Sequence, residues 1–277
     1  MNKKILLGLV ALTLVIPSTS HANVKNGTVS SPTLAILDTG LDTSVPSIKE
    51  KLIYEVCILE WTTCPNGQSF MEGPGAASIP LQSITENGFG HGTQMASAAV
   101  STNPNMNIVF VRIIGQNING DRQIANEQTI YNALNWVYAN KDKFNIQAVS
   151  LSQGSHNLVS SESYCPSTPT TQKSITDLLS SGIPTFTAVG NNRDYKRIDW
   201  PSCLPEAVAV GSGSKNGIDL YNNYDPSLLD IYSIGKIKVY SPGNTLGWAS
   251  GSSVAAQTAA ANWIALKQFN QIGRAHV

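Results

Sequence analysis

The chain has 277 residues, a formal net charge of zero and 13% charged residues. That length suits one large domain or two small ones, and the balanced charge excludes both the basic stripe of a nucleic-acid binder and the acidic run of a solvating tail. With 42% of its residues apolar, the chain can bury a sizeable core, which excludes a disordered protein.

Residues 1–22 carry the pattern of a signal peptide. Lys3 and Lys4 precede an apolar stretch from Ile5 to Pro17, and Ser20-His21-Ala22 forms a small-residue cleavage site. The apolar stretch is shorter than the roughly 20 residues that a membrane span requires. Cleavage after Ala22 is therefore expected, with export to a periplasm or out of the cell and no membrane association afterwards.

Beyond Ala22, apolar strand-like runs alternate with helix-like stretches. Thr33 to Leu37 reads as a short buried strand, His91 to Ser101 as a helix of small residues, and Asn107 to Ile114 as a β-branched strand. Glu127 to Asn140 places Ile130, Ala133, Leu134 and Val137 on one helical face. Ile146 to Leu151 reads as a strand, Gln172 to Ser181 as a helix, and Ile183 to Val189 and Ala207 to Gly211 as strands. Ser252 to Gln268 closes the series as a long, alanine-rich helix. The rhythm predicts an α/β fold of three layers, a parallel sheet with helices on both faces. The Gly/Pro/Ser-rich stretch 57–90 and the Ser/Thr-rich stretch 154–171 read as surface loops of a single domain. The last six residues, Ile-Gly-Arg-Ala-His-Val, spell a translated sequencing adapter, so 272–277 are expected to be non-native and the native chain to continue past Gln271.

Four cysteines, Cys57, Cys64, Cys165 and Cys203, follow the leader. In an exported chain an even count points to disulfides, and four cysteines allow three pairings. A zinc site is disfavoured, because there is no C-x-x-C and no histidine lies near a cysteine.

Of four histidines, His21 falls in the leader and His276 in the tail, and His156 sits in a polar stretch as an ordinary loop residue. His91 differs. It lies between two glycines, Gly90 and Gly92, where a helix of small residues begins, and it is the one good candidate for a general base near neutral pH. Asp38 ends a buried strand in Asp38-Thr39-Gly40, at the edge where open α/β sheets bind ligands. The same tripeptide marks aspartic peptidases, but those pair two copies in an all-β fold and this chain has one copy in an α/β rhythm. Taken alone, Asp38 also fits a plain turn aspartate. Ser253 opens the last helix, where a serine is commonly only a cap, yet a slim alanine helix behind it would place the hydroxyl at the positive end of a helix dipole.

The three occur in the order Asp, His, Ser, the order of subtilisin. From about Leu34 to Leu266 the chain resembles the subtilisin family of serine peptidases. The resemblance is carried by Ala35-Ile36-Leu37-Asp38-Thr39-Gly40-Leu41-Asp42, by Gly90-His91-Gly92-Thr93, by Val149-Ser150-Leu151-Ser152-Gln153-Gly154, by Ala188-Val189-Gly190-Asn191, and by Gly251-Ser252-Ser253-Val254-Ala255-Ala256. It implies a peptidase domain over 23–271, an exported serine endopeptidase with Asp38, His91 and Ser253 as its triad, and Asn191 in the oxyanion hole. Asn192 next door is the competing donor. The resemblance further implies that Ser152, Gln153 and Gly154 hydrogen-bond an extended peptide, and that they and Ala188, Val189 and Gly190 wall the pocket for the residue before the cut. The expected disulfides are then Cys57–Cys64 and Cys165–Cys203, the second bracketing that pocket.

The chain also departs from the family pattern. Ser252, Val254 and Gln257 stand where the serine block usually has threonine, methionine and proline, and Val45-Pro46 replaces the usual His-Pro. The short 101–107 segment leaves no room for a common calcium-binding insertion, and only about ten residues separate Ala22 from the first strand, too few for the usual folding prodomain. No cofactor or metal is expected, and no calcium site is identified. The partner is a peptide or protein substrate, the state a monomer. The alternative is a catalytically inactive subtilisin-like module that binds peptides.

Overall fold

The computed structural model describes residues 24–25, 28–29, 31–78, 88–116, 122 and 125–274, and leaves the side chains of 24, 25, 28, 29, 156, 157 and 271–274 outside the description. The leader 1–22 lies outside the described residues. In chain order the elements are β1 (Val24–Lys25), β2 (Thr28–Val29), β3 (Thr33–Asp38), α1 (Pro46–Lys51), β4 (Leu52–Ile58), β5 (Phe70–Glu72), α2 (His91–Thr102), β6 (Asn107–Arg112), α3 (Glu127–Asn140), β7 (Ile146–Leu151), β8 (Ser155–Val159), α4 (Pro169–Ser180), β9 (Thr185–Ala188), β10 (Ile198–Trp200), β11 (Ala207–Ser214), β12 (Gly217–Ile218), β13 (Ile231–Ile234), β14 (Lys236–Ser241), β15 (Thr245–Ser250) and α5 (Ser252–Arg274).

Strands β12-β11-β9-β7-β3-β6-β4-β5 lie side by side in one nine-stranded sheet, with β13 as a further partner of β11. The pairs among β3, β4, β6, β7, β9, β11 and β13 are parallel, and only the edge pairs β4–β5 and β11–β12 are antiparallel. Alternation along the strands sorts the core into two layers. Ala35, Leu37, Val109, Val111, Val149 and Leu151 pack under α3 and α4 through Ile130, Leu134, Val137, Ile175 and Leu178. Leu34, Ile36, Ile108, Phe110 and Ala148 face the other way, against α1, α2 and α5 through Ile48, Ala96, Ala99, Ala256 and Ala260. The alanines let α5 lie close to the sheet. This is the three-layer α/β arrangement read from the sequence.

Two stretches read as loops hold strands. The 57–90 stretch contains the end of β4 and all of β5, and the 154–171 stretch contains β8. β5 is a three-residue, largely exposed edge strand, and β8 pairs with the equally short β10 away from the main sheet. β5 is too short to show a period of two, and β8, Ser-His-Asn-Leu-Val, does not alternate apolar and polar residues. His156 therefore lies on a strand, β8, and its side chain is outside the described residues.

Cys57 is bonded to Cys64 and Cys165 to Cys203. The second bond joins residues 38 apart and ties the segment after β8 to the segment after β10. Replacing Cys165 and Cys203 together by serine is expected to lower stability by about 3 to 4 kcal/mol from loop-closure entropy alone. A melting curve beside the wild type checks this; an unchanged melting temperature would show that the bond does not constrain the unfolded chain.

Candidate active site

The aspartate and histidine segments are stitched together before any catalytic atom is considered. Thr39 donates its hydroxyl to the Phe89 carbonyl (2.8 Å) and accepts from the Gly92 N–H (2.9 Å). Thr93 accepts from the Asp42 N–H (2.9 Å). Gly92 is required by the close approach, since any side chain there would run into the Gly40 backbone. Asp42 then ties in a third segment, accepting from the Ser44 hydroxyl and N–H (2.6 and 2.9 Å) and from the Gly243 N–H (2.7 Å). Burial pushes the Asp42 carboxyl up, but these hydrogen bonds outweigh it and hold its pKa below the ordinary aspartate value.

This clamp sets Asp38, at the end of β3, against His91, the first residue of α2. His91 Nδ1 lies 2.7 Å from Asp38 Oδ1. Asp38 is fully buried and the His91 side chain is 23% exposed. An ionised carboxylate only accepts, so the Nδ1 proton points at Asp38 and Nε2 keeps its lone pair for a substrate-side proton. Asp38 Oδ1 also accepts from the Thr39 N–H (2.7 Å), while Oδ2 is buried without a hydrogen-bond partner.

His91 and Ser253 line one cleft of about 470 Å3, together with Arg122, Ser152, Gln153, Gly154, Ala188, Gly190, Asn191, Asn192, Asp199, Trp200 and Ser252. Ser253 is in the first turn of α5, where backbone N–H groups have no intrahelical acceptor. His91 and Ser253 are not hydrogen-bonded to one another.

Asn191 follows β9 and is exposed. Its Oδ1 accepts from the Ser252 N–H (2.9 Å), which leaves Nδ2 as the atom to donate into the cleft. Asn192 is engaged differently. Its N–H donates to Asn223 Oδ1 (2.8 Å) and its own Oδ1 accepts from Asn223 Nδ2 (3.4 Å). Gly190, with a φ of 99°, takes a left-handed turn that favours glycine, and a side chain there would collide with Asp199 and Asn223.

The departures in the serine block have local partners. The Ser252 hydroxyl accepts from the Gly190 N–H (3.1 Å), Val254 packs with Met95, Ala98, Val239 and Ala249, and Gln257 Nε2 donates to Ser152 Oγ (3.2 Å). Ser152 Oγ in turn donates to the Ser253 carbonyl (3.2 Å).

Of the expected pocket walls, Val189 is the exception. It is fully buried in the core beneath α3 and α4, because alternation along the chain turns it away from the side on which Ala188 and Gly190 meet the cleft. Arg122, Asp199 and Trp200 are cleft residues that no sequence motif announced; the pairing of β10 with β8 and the bond from the Asp199 N–H to the Val189 carbonyl bring the last two there. Among the described residues no group of three His, Cys, Asp or Glu side chains is placed to hold a metal ion, and no helix is long and apolar enough to cross a membrane.

A family model described as the Subtilase family matches residues 30–276, and the chain belongs to that family of serine peptidases. It is 23% identical over 253 residues to the major intracellular serine protease of Bacillus subtilis (strain 168), covering 86% of this chain and 69% of that one. It is 26% identical over 206 residues to the alkaline protease of Alkalihalobacillus alcalophilus, covering 71% of this chain but only 49% of that one. Its fold matches the crystal structure of a cold adapted subtilisin-like serine proteinase with a TM-score of 0.63 at 19% identity, over 92% of this chain and 81% of the other.

Proposed function

We propose that the chain is an exported serine endopeptidase that cuts peptide bonds through Asp38, His91 and Ser253 by way of an acyl-enzyme. The observation that carries this is the 2.7 Å contact between His91 Nδ1 and buried Asp38 Oδ1, which leaves Nε2 as a base in the cleft that Ser253 also lines. Ser253 Oγ attacks the scissile carbonyl carbon while His91 Nε2 takes its proton. Asp38 holds the ring and stabilises the imidazolium without taking the proton itself. The oxyanion is met by Asn191 Nδ2 and the Ser253 N–H. Collapse breaks the C–N bond, and His91 returns the proton to the leaving amine. Water, deprotonated by the same histidine, then releases the acyl group. Ser152 to Gly154 on one side, with Ala188 and Gly190 on the other, flank the residue before the cut. Two disulfides and the signal-type leader support export.

Peptides blocked at both ends test the reaction class. Internal cleavage of such peptides by the purified chain is the expected result. Cleavage only of peptides with a free end would overturn the endopeptidase assignment, and binding without cleavage would mark an inactive peptide-binding module.

A further inference from the structure

Gln153 sits in the segment expected to pair with substrate through its backbone, yet its side chain turns inward and is only 5% exposed. Its Nε2 lies 3.1 Å from Asp38 Oδ1 and 3.0 Å from His91 Nδ1. Its Oε1 accepts from Arg122 Nη2 at 2.5 Å. Arg122 can only donate and a carboxylate can only accept, so one amide orientation satisfies both ends, with Oε1 to the arginine and Nε2 to the aspartate. A guanidinium in the cleft thus reaches the Asp38–His91 pair through a single amide.

We propose that Gln153, oriented by Arg122, is a positioning residue that anchors Asp38 in its contact with His91. With Oδ2 of Asp38 unpartnered, the carboxylate is anchored through Oδ1 alone, by the Thr39 N–H, His91 and Gln153. Removing the Gln153 donor takes away one of those three anchors and, with it, the link to Arg122. The other charged groups near His91 are Asp38 beneath it and Asp199 in the same cleft; α2 has no acid in its first turn and no base in its last.

The inference rests on the proposed triad. Its test is the kcat and KM of the full chain, as wild type, Gln153→Met, Arg122→Met and the double variant, on a blocked peptide. Methionine keeps the length of glutamine and removes the amide. Gln153→Met is expected to lower kcat by roughly 10- to 100-fold, the range of a hydrogen bond to a charged group, with KM changed less than about threefold. Arg122→Met, at an exposed residue, should lower kcat in the same way by less. The double variant should match Gln153→Met, because Arg122 acts only through the amide. An unchanged kcat in both single variants, a loss that appears in KM instead, or losses that simply add in the double variant, would overturn the inference while leaving the triad standing. A wild type that cleaves nothing would instead strike at the triad itself.

Discussion

Ser253→Ala is expected to abolish peptide hydrolysis, as is His91→Ala, with the loss in kcat approaching the order of 10⁶ seen when the nucleophile or base of subtilisin is removed. The double variant should be no worse than either alone, because nucleophile and base act as one unit. Ser253→Ala should leave the melting curve in place: the side chain is only half-buried, and the bond that Ser152 makes is to the Ser253 backbone. Wild-type turnover in pure Ser253→Ala protein would remove Ser253 from the mechanism.

The second large effect concerns Asn191. Its Oδ1 is occupied by the Ser252 N–H, so Nδ2 is the atom that would meet an oxyanion, and that contact strengthens only as negative charge develops. Asn191→Leu should lower kcat on the order of 10²–10³-fold with little change in KM, the magnitude found on removing the oxyanion asparagine of subtilisin. Asn192→Leu loses only the side-chain bond from Asn223 Nδ2 and keeps the backbone one, so it should touch the melting temperature more than kcat. A large kcat loss at position 192 with none at 191 would move the oxyanion hole by one residue.

How much of this was legible in the sequence depended on the length and depth of each element. β3, β6 and β7 are buried throughout or nearly so, so their apolar runs declare them, and α3 declares itself through Ile130, Ala133, Leu134 and Val137 on its buried face. β5 and β13 are short and mostly exposed and leave no period to read. Asp38, His91 and Ser253 were legible because each stands in a motif of glycine and small residues, and the structure shows the reason at Gly92: the two segments touch backbone to backbone. Gln153 was legible only as a backbone partner for substrate. Its side chain meets Asp38 across 115 positions of sequence and Arg122 across 31, and no local pattern encodes such a meeting. Gln257 was visible as a departure from the family's proline, but its bond to Ser152 spans 105 positions and appears only in the fold.

In the proposed mechanism Ser253 is activated by His91 on Asp38, and a fluorophosphonate probe reads that activation without any knowledge of the natural substrate, since only an activated serine reacts at a useful rate. The purified chain is labelled, digested and mapped by mass spectrometry, beside His91→Ala and Asp38→Asn proteins whose melting curves show them folded. One phosphonyl group on the peptide containing Ser253, lost in both variants, is the predicted result. A folded wild type that stays unlabelled, or a label on another serine that persists without His91, would contradict the assignment.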